Sequence, residues 1–200
     1  MATDGENSYP ILSLKPTQLT VGMREVAEKR QRWKEHSLKK RSELLHGHLI
    51  PVVLGPAKAH YIVDHHHFAR ALFDEGQKDV LISIIADLSS VDPRAFWGVM
   101  DSQRWVHPYD ANGDRQHFTD LPRRVGDLKD DPFRSLAGEV RQAGGFVKDG
   151  TLFSEFLWAD FLRCKLSLRS VETDFQKAVE RALVLAKTKQ AAYLPGWQPR

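Results

Sequence analysis

Four short apolar runs, each closed by a breaker or a charged turn, dominate the first ninety residues. They are Pro10–Leu14 with Pro16 behind it, Leu49–Leu54 followed by Gly55-Pro56, Tyr61–Val63 running into Asp64, and Val80–Ile85. Such runs are too brief for helices and apolar on both faces, which suits strands buried in a small sheet. Two stretches of helical spacing separate them. From Met23 to Leu45, Val26, Arg30, Trp33 and Ser37 share a face, and Leu38, Leu44 and Leu45 add apolar contacts. The second follows Asp64-His-His-His67, carries Phe68, Ala69, Ala71, Leu72 and Phe73, and stops at Gly76. Strands interrupted by helices in this way predict an α/β or α+β fold built on a small mixed sheet.

Beyond Ser90 the pattern is helical. Asp92-Pro93 pairs an N-cap with proline at the first helical position, and Asp131-Pro132 repeats the device for a helix ending at Gly144-Gly145. His107 to Pro122 reads as loop, with a turn at Asn112-Gly113. Phe153, Phe156, Leu157, Trp158, Phe161 and Leu162 form a broad apolar face, and Val171 to Ala192 reads as one long helix. The expected division is a disordered leader over 1–8, a core over 9–125, and a helical C-terminal portion over 126–200 packed on it. Two hundred residues suit this plan, and two full domains would be cramped.

Composition excludes several classes. Forty-two per cent hydrophobic residues, with five Trp and ten Phe, can bury a sizeable core, so the chain is not a disordered tail. No run of eighteen apolar residues occurs, and the N-terminal residues lack the apolar stretch of a secretory signal. Cys164 is alone, so no intrachain disulfide forms; a cytoplasmic protein with no membrane partner is expected. Lys and Arg outnumber Asp and Glu by only 29 to 26, which permits a polyanion without requiring one. The Met23–Leu45 stretch is rich in Lys and Arg, but Glu25, Glu28, Glu35 and Glu43 lie near i,i+4 positions and pair with much of that charge. Weak, sequence-independent DNA binding is the expectation. Oligomeric state is left open.

The stretch that carries chemistry is Tyr61 to Arg70, where a buried strand ends and a helix begins. A helix N-terminus offers unpaired N–H groups and the positive end of the dipole, a combination that holds phosphate. Asp64 either caps this helix or accepts a proton and contacts a metal-bridged phosphate. His66 and His67 would supply donors or shuttle protons, and their removal would leave the fold nearly intact. Three adjacent His suggest a metal, yet helical neighbours point about 100° apart and the H-E-x-x-H spacing is absent. Asp110-Ala-Asn112-Gly-Asp114 starts like a calcium loop, but Arg115 and Leu121 stand where Gly and Glu are needed, so it reads as a turn. Asp160, among bulky apolar neighbours, needs a partner, and Arg163 is the nearest in sequence.

A strand ending in Ile62-Val-Asp64, a His-rich turn and a helix together resemble the ParB/sulfiredoxin superfamily. There the corresponding Gly-X-His-Arg or Asp-Gly-His-His-Arg signature marks a nucleotide-phosphate site. Leu14-Lys-Pro-Thr-Gln-Leu-Thr-Val-Gly-Met-Arg-Glu-Val26 is similar to the segment leading its first strand into its first helix. The Asp64–His67 motif and the segment Phe156 to Arg163 resemble most the ParB-like nuclease branch, so the likeness spans about residues 9 to 165. Members include partition proteins that hydrolyse CTP, sulfiredoxins that use ATP, and an ADP-dependent free serine kinase. The resemblance therefore implies a nucleotide site for ATP, ADP or CTP with Mg²⁺, and hydrolysis or transfer of a phosphoryl group. It makes Glu25, Asp64, His66 and His67 the catalytic candidates and Gln18, Arg24, His65 and Arg70 the nucleotide-binding ones. The alternative it implies is a partition-type DNA module or nuclease switched by nucleotide. The chain departs from the kinase pattern at His65, where Gly is expected, and at Phe68, where Arg is expected. Gln18 stands where the kinase has its catalytic Glu, which leaves Glu25 as base. His66 replaces the sulfiredoxin Cys, which argues against sulfinic acid repair.

Overall fold

The computed structural model describes residues 8–199. Of the leader expected over 1–8, all but Ser8 lies outside the described residues. Strands are β1 (Ser8–Pro10), β2 (Leu14–Pro16), β3 (Thr20–Val21), β4 (Ile50–Leu54), β5 (His60–Ile62), β6 (Asp79–Asp87) and β7 (Lys129–Asp130). Helices are α1 (Met23–Glu35), α2 (Leu38–Gly47), α3 (His66–Asp74), α4 (Pro93–Ser102), α5 (Pro132–Gln142), α6 (Ser154–Arg163), α7 (Leu168–Thr173) and α8 (Phe175–Ala186). The fold is α+β, with a mixed sheet and a helical C-terminal portion. Two compact units divide the chain. One holds the described residues up to Leu19, Val26–Tyr109 and Arg115–Lys129; the other holds Thr20–Glu25, Asp110–Asp114 and the described residues from Asp130 onward. No helix among the described residues is long and apolar enough to cross a membrane.

In the first unit five strands run in the order β1-β6-β4-β5-β2. β1 is antiparallel to β6, β6 parallel to β4, β4 antiparallel to β5, and β5 parallel to β2, with Lys15 opposite Tyr61. Leu14, Ile50, Val52, Val53, Ile62, Val80 and Ile82 are buried along them. The apolar run read as a single strand over Pro10–Leu14 is in fact two strands on opposite edges of this sheet, joined by a 3-10 turn at Ile11–Ser13. Five flat strands would set those edges about 19 Å apart. The link from Pro10 to Leu14 spans about 14 Å at most, so the sheet curls. The long helix expected over Met23–Leu45 is likewise broken: Ser37 adopts extended backbone and accepts Lys40 N–H at 3.4 Å, starting α2. α3 buries Ala69, Ala71 and Leu72 and ends, as read, at Gly76 (φ 74°), with Gln77 N–H donating to Leu72 O at 3.0 Å. Asp92 caps α4, whose Phe96 and Met100 pack with Leu19, Val53, Val106 and Leu121.

The second unit is helical around Phe133, Leu136, Val140, Phe146, Trp158, Phe161 and Leu162. Asp131 caps α5 by accepting from Phe133 and Arg134 N–H groups at 2.9 and 3.1 Å. Arg163 donates to Asp160, to Asp131 at 2.8 Å and to the Ala111 carbonyl at 3.0 Å, so Asp160 has the partner its surroundings required. The helix read over Val171–Ala192 is also broken, because Asp174 accepts Lys177 N–H at 3.1 Å and opens α8. In the Asp110–Asp114 segment, Asp110 accepts the N–H groups of Asn112 and Asp114, making the expected turn.

Candidate functional site

β5 ends at Ile62, and Val63 N–H still donates to the Pro51 carbonyl at 3.0 Å. The chain then leaves the sheet. His65 adopts left-handed backbone (φ 65°, ψ 23°) and occupies the N-cap of α3 with no side-chain cap. Asp64, exposed, accepts the His65 N–H at 2.7 Å. The expectation that Asp64 caps the helix is thereby corrected: its carboxylate closes the turn one residue earlier. A left-handed non-glycine residue costs about 1 kcal/mol or more, which the surrounding contacts offset.

His66 is 2 % exposed. Its Nε2 accepts Thr17 N–H at 3.1 Å, and the Thr17 hydroxyl donates to the Ile62 carbonyl at 2.6 Å. This assigns the ring proton to Nδ1 of a neutral imidazole. Burial pushes its pKa down to about 4, and the Asp64 charge and Ile62 carbonyl only partly oppose that. On the other side of Thr17, its carbonyl accepts His107 N–H at 2.8 Å. The end of β2 is thus clamped between His66 and His107, and it fixes where α3 starts. Among the described residues, Gln18 Oε1 beside this clamp is buried without a hydrogen-bond partner.

The first unit brings Thr17, Gln18 and Asp64–His67 together. His67 is 8 % and Gln18 6 % exposed, so these side chains build the turn's support as much as its surface. The expectation that His66 and His67 could be removed with the fold nearly intact is corrected by their burial. Arg70 donates to Asp74 at 2.9 Å and to the Leu128 carbonyl at 2.6 Å. Arg24 and Glu25 belong to the second unit. There Arg24 N–H donates to Ser135 Oγ at 3.3 Å, its guanidinium lies 3.6 Å from the Phe175 ring centre, and Glu25 faces Arg134 Nη1 at 3.4 Å. Among the described residues, no group of three or more His, Cys, Asp or Glu side chains could hold a metal ion. Thr17 is the member that residue reading passed over; its only signal is a hydroxyl directly after the strand-ending Pro16.

Residues 7–164 match the family model described as "Putative ParB-like nuclease". The chain belongs to this family. Protein Atu1540 from Agrobacterium tumefaciens, known from a crystal structure, is 44 % identical, with 96 % of each chain covered and a TM-score of 0.91. Comparison with curated proteins gives no match. The ParB-like match takes in β2, the Asp64–His67 turn and the whole of α6.

Chemically, this ParB-like turn offers backbone donors and the positive end of α3 toward an anion. Asp64 adds a solvent-facing carboxylate beside them, and His66 adds rigidity without charge. That combination suits holding a phosphate group more than it suits proton transfer by His66, whose low pKa keeps it neutral at physiological pH.

Proposed function

We propose that this protein binds a nucleotide by its phosphates at the N-terminus of α3 and hydrolyses or transfers a phosphoryl group of ATP, ADP or CTP. The observation that carries the reading is the His66–Thr17 clamp, which pins a helix start directly behind a buried strand and leaves no side-chain cap on it. Preorganised donors of this kind cost no rearrangement when the anion arrives. Mg²⁺ fits as the companion ion because it keeps most of its waters and needs only one or two carboxylates besides the phosphates; Asp64 would be that carboxylate. Bound there, the ion would neutralise charge on the phosphates. Asp64 and the backbone of the turn orient the anion, and the neutral His66 keeps α3 in place.

Calorimetry with ATP, ADP, CTP and inorganic pyrophosphate, each with and without Mg²⁺, tests this. Binding of at least one nucleotide and of pyrophosphate is expected. His65→Asp, which sets a negative charge on the turn, should weaken both at least ten-fold while the melting temperature holds. Asp64→Asn should keep metal-free binding and lose the gain from Mg²⁺. If the parent binds neither pyrophosphate nor any of the nucleotides, the reading fails. A second reading, a partition-type DNA module or nuclease, draws support from α2, which buries no residue and carries Lys39, Lys40 and Arg41.

A further inference from the structure

A cleft of about 350 Å³ opens in the first unit, lined by Lys15, Pro16, Tyr61, Trp97, Phe118 and Arg123 among others. We infer that it is a nucleobase subsite, taking the base of the nucleotide whose phosphates lie on the α3 turn; the inference rests on the phosphate reading above. Phe118 stacks on Trp97 with ring centres 5.2 Å apart and planes 11° from parallel, and Tyr61 meets Trp97 edge-on at 5.3 Å. All three rings remain partly exposed, although they pack against the cluster of Leu19, Val53, Phe96 and Met100. Large rings left half open around a concave surface are the usual lining of a small-molecule groove.

The floor of the cleft is shaped to keep Tyr61 where it is. A Cβ on Gly55 would lie 2.5 Å from the Tyr61 ring and 2.7 Å from Phe96 Cζ, so only glycine admits this seat. The walls are also one-signed. Lys15, whose Nζ lies 5.5 Å from the Tyr61 ring centre, and Arg123 bring positive charge, and among the described residues no carboxylate lines the cleft. That excludes a cationic aromatic ligand and favours a ring with acceptor atoms on its edge and an anion attached, which describes a nucleotide.

Position then selects the occupant. Lys15 and Tyr61 are paired on the parallel strands β2 and β5. Both strands lead from the cleft to the turn: Pro16 is followed by Thr17, which holds His66, and Tyr61 precedes Asp64 by three residues. Three residues of extended chain span about 10 Å, which is of the order of the reach from a base to the outer phosphates of its nucleotide. A base in the cleft and phosphates on the turn are therefore compatible with one ligand.

The test compares inorganic pyrophosphate with ADP and CDP by calorimetry on the parent, Trp97→Leu, Phe118→Leu, the doubly substituted Lys15→Met/Arg123→Met, and Trp97→Phe. The parent should bind one of the nucleoside diphosphates at least ten-fold tighter than pyrophosphate. Trp97→Leu and Phe118→Leu should remove about five- to a hundred-fold of that preference, the range that stacking one base supplies, and leave pyrophosphate affinity unchanged. Trp97→Phe should retain most of it, because a ring remains, and the double variant should lose part. If pyrophosphate binds the parent as tightly as both nucleotides do, the base subsite is refuted and the phosphate reading stands. If neither pyrophosphate nor any nucleotide binds, the phosphate reading fails and this inference with it. Equal losses for all ligands in a folded Phe118→Leu variant would reduce the cleft to a structural feature. Tight binding of oligothymidylate with no mononucleotide binding would assign the rings to single-stranded nucleic acid and overturn the proposal.

Discussion

Burial of the His66 imidazole against Thr17 ties the stability of the turn to pH. Unfolded, this histidine takes up a proton near its ordinary value of 6.5; folded, burial holds it neutral down to about 4. Between those values the unfolded chain binds more protons, so stability rises with pH there. The contribution is complete above about pH 6.5 and is lost as pH falls through the window toward 4, on the order of 3 kcal/mol in all. His66→Gln keeps an acceptor for Thr17 N–H but has no proton to gain. Denaturant titrations from pH 7 to 4 should therefore show a steeper loss in the parent than in the variant; parallel curves would mean that His66 is not the group responsible. His60, whose pKa is also lowered by burial, titrates in both proteins and cancels in the difference. At the neighbouring residue, backbone geometry is the issue. With φ at 65°, His65→Gly should be more stable than His65→Ala by about 1 kcal/mol, since only glycine escapes the cost of left-handed backbone. Thermal or urea unfolding of the pair measures this; an alanine variant equal to the glycine variant would contradict the conformation.

Among elements, periodicity located helices and strands but misread their ends. The α1–α2 and α7–α8 breaks fall at Ser37 and Asp174, short polar residues that cap a new helix within an uninterrupted apolar pattern. The β1–β2 break has another cause, since which sheet edge a strand joins is decided by distant partners, Leu81 for Ser8 and His60 for Leu14. Caps flagged by proline were legible: Asp92 and Asp131 both act as read. Asp131 also shows how one side chain ties elements together in the second unit. It is 1 % exposed, capping α5 with one oxygen and accepting from Arg163 of α6 with the other. Burial pushes its carboxyl up, and Arg163 and the capping N–H groups oppose this. Arg163→Met would leave that carboxylate without its cation and should cost about 3–5 kcal/mol in urea unfolding. The deficit should shrink as pH falls, because protonating Asp131 removes the unpaired charge. A loss below about 1 kcal/mol would class the pair with exposed ion pairs of little weight.

For the whole molecule, the turn between β5 and α3 is legible as local structure because strand, breaker and helix are adjacent in sequence. Its Thr17 support and the aromatic cleft are not, since each joins residues far apart along the chain. Charge raises the same question for nucleic acid. A net charge of +3 leaves little long-range field, and the basic stretch is largely occupied. Arg30 and Lys34 both face Glu75, at 2.7 and 3.4 Å, and Arg32 lies 3.6 Å from Glu28. Arg41 donates to the Trp33 and Lys34 carbonyls at the end of α1. That leaves Lys39 and Lys40 on α2 as the cations most available to phosphates. If about two or three phosphates are neutralised, affinity for duplex DNA should fall about ten- to forty-fold between 50 and 200 mM salt, from a dissociation constant already above micromolar. Fluorescence anisotropy of a labelled duplex across that salt range measures the slope. Lys39→Ala/Lys40→Ala should flatten it without altering pyrophosphate binding, because neither lysine belongs to the turn. A nanomolar complex that tolerates physiological salt and prefers one base sequence would instead require base contacts. That result would make the protein a partition-type module and reduce the nucleotide to its switch.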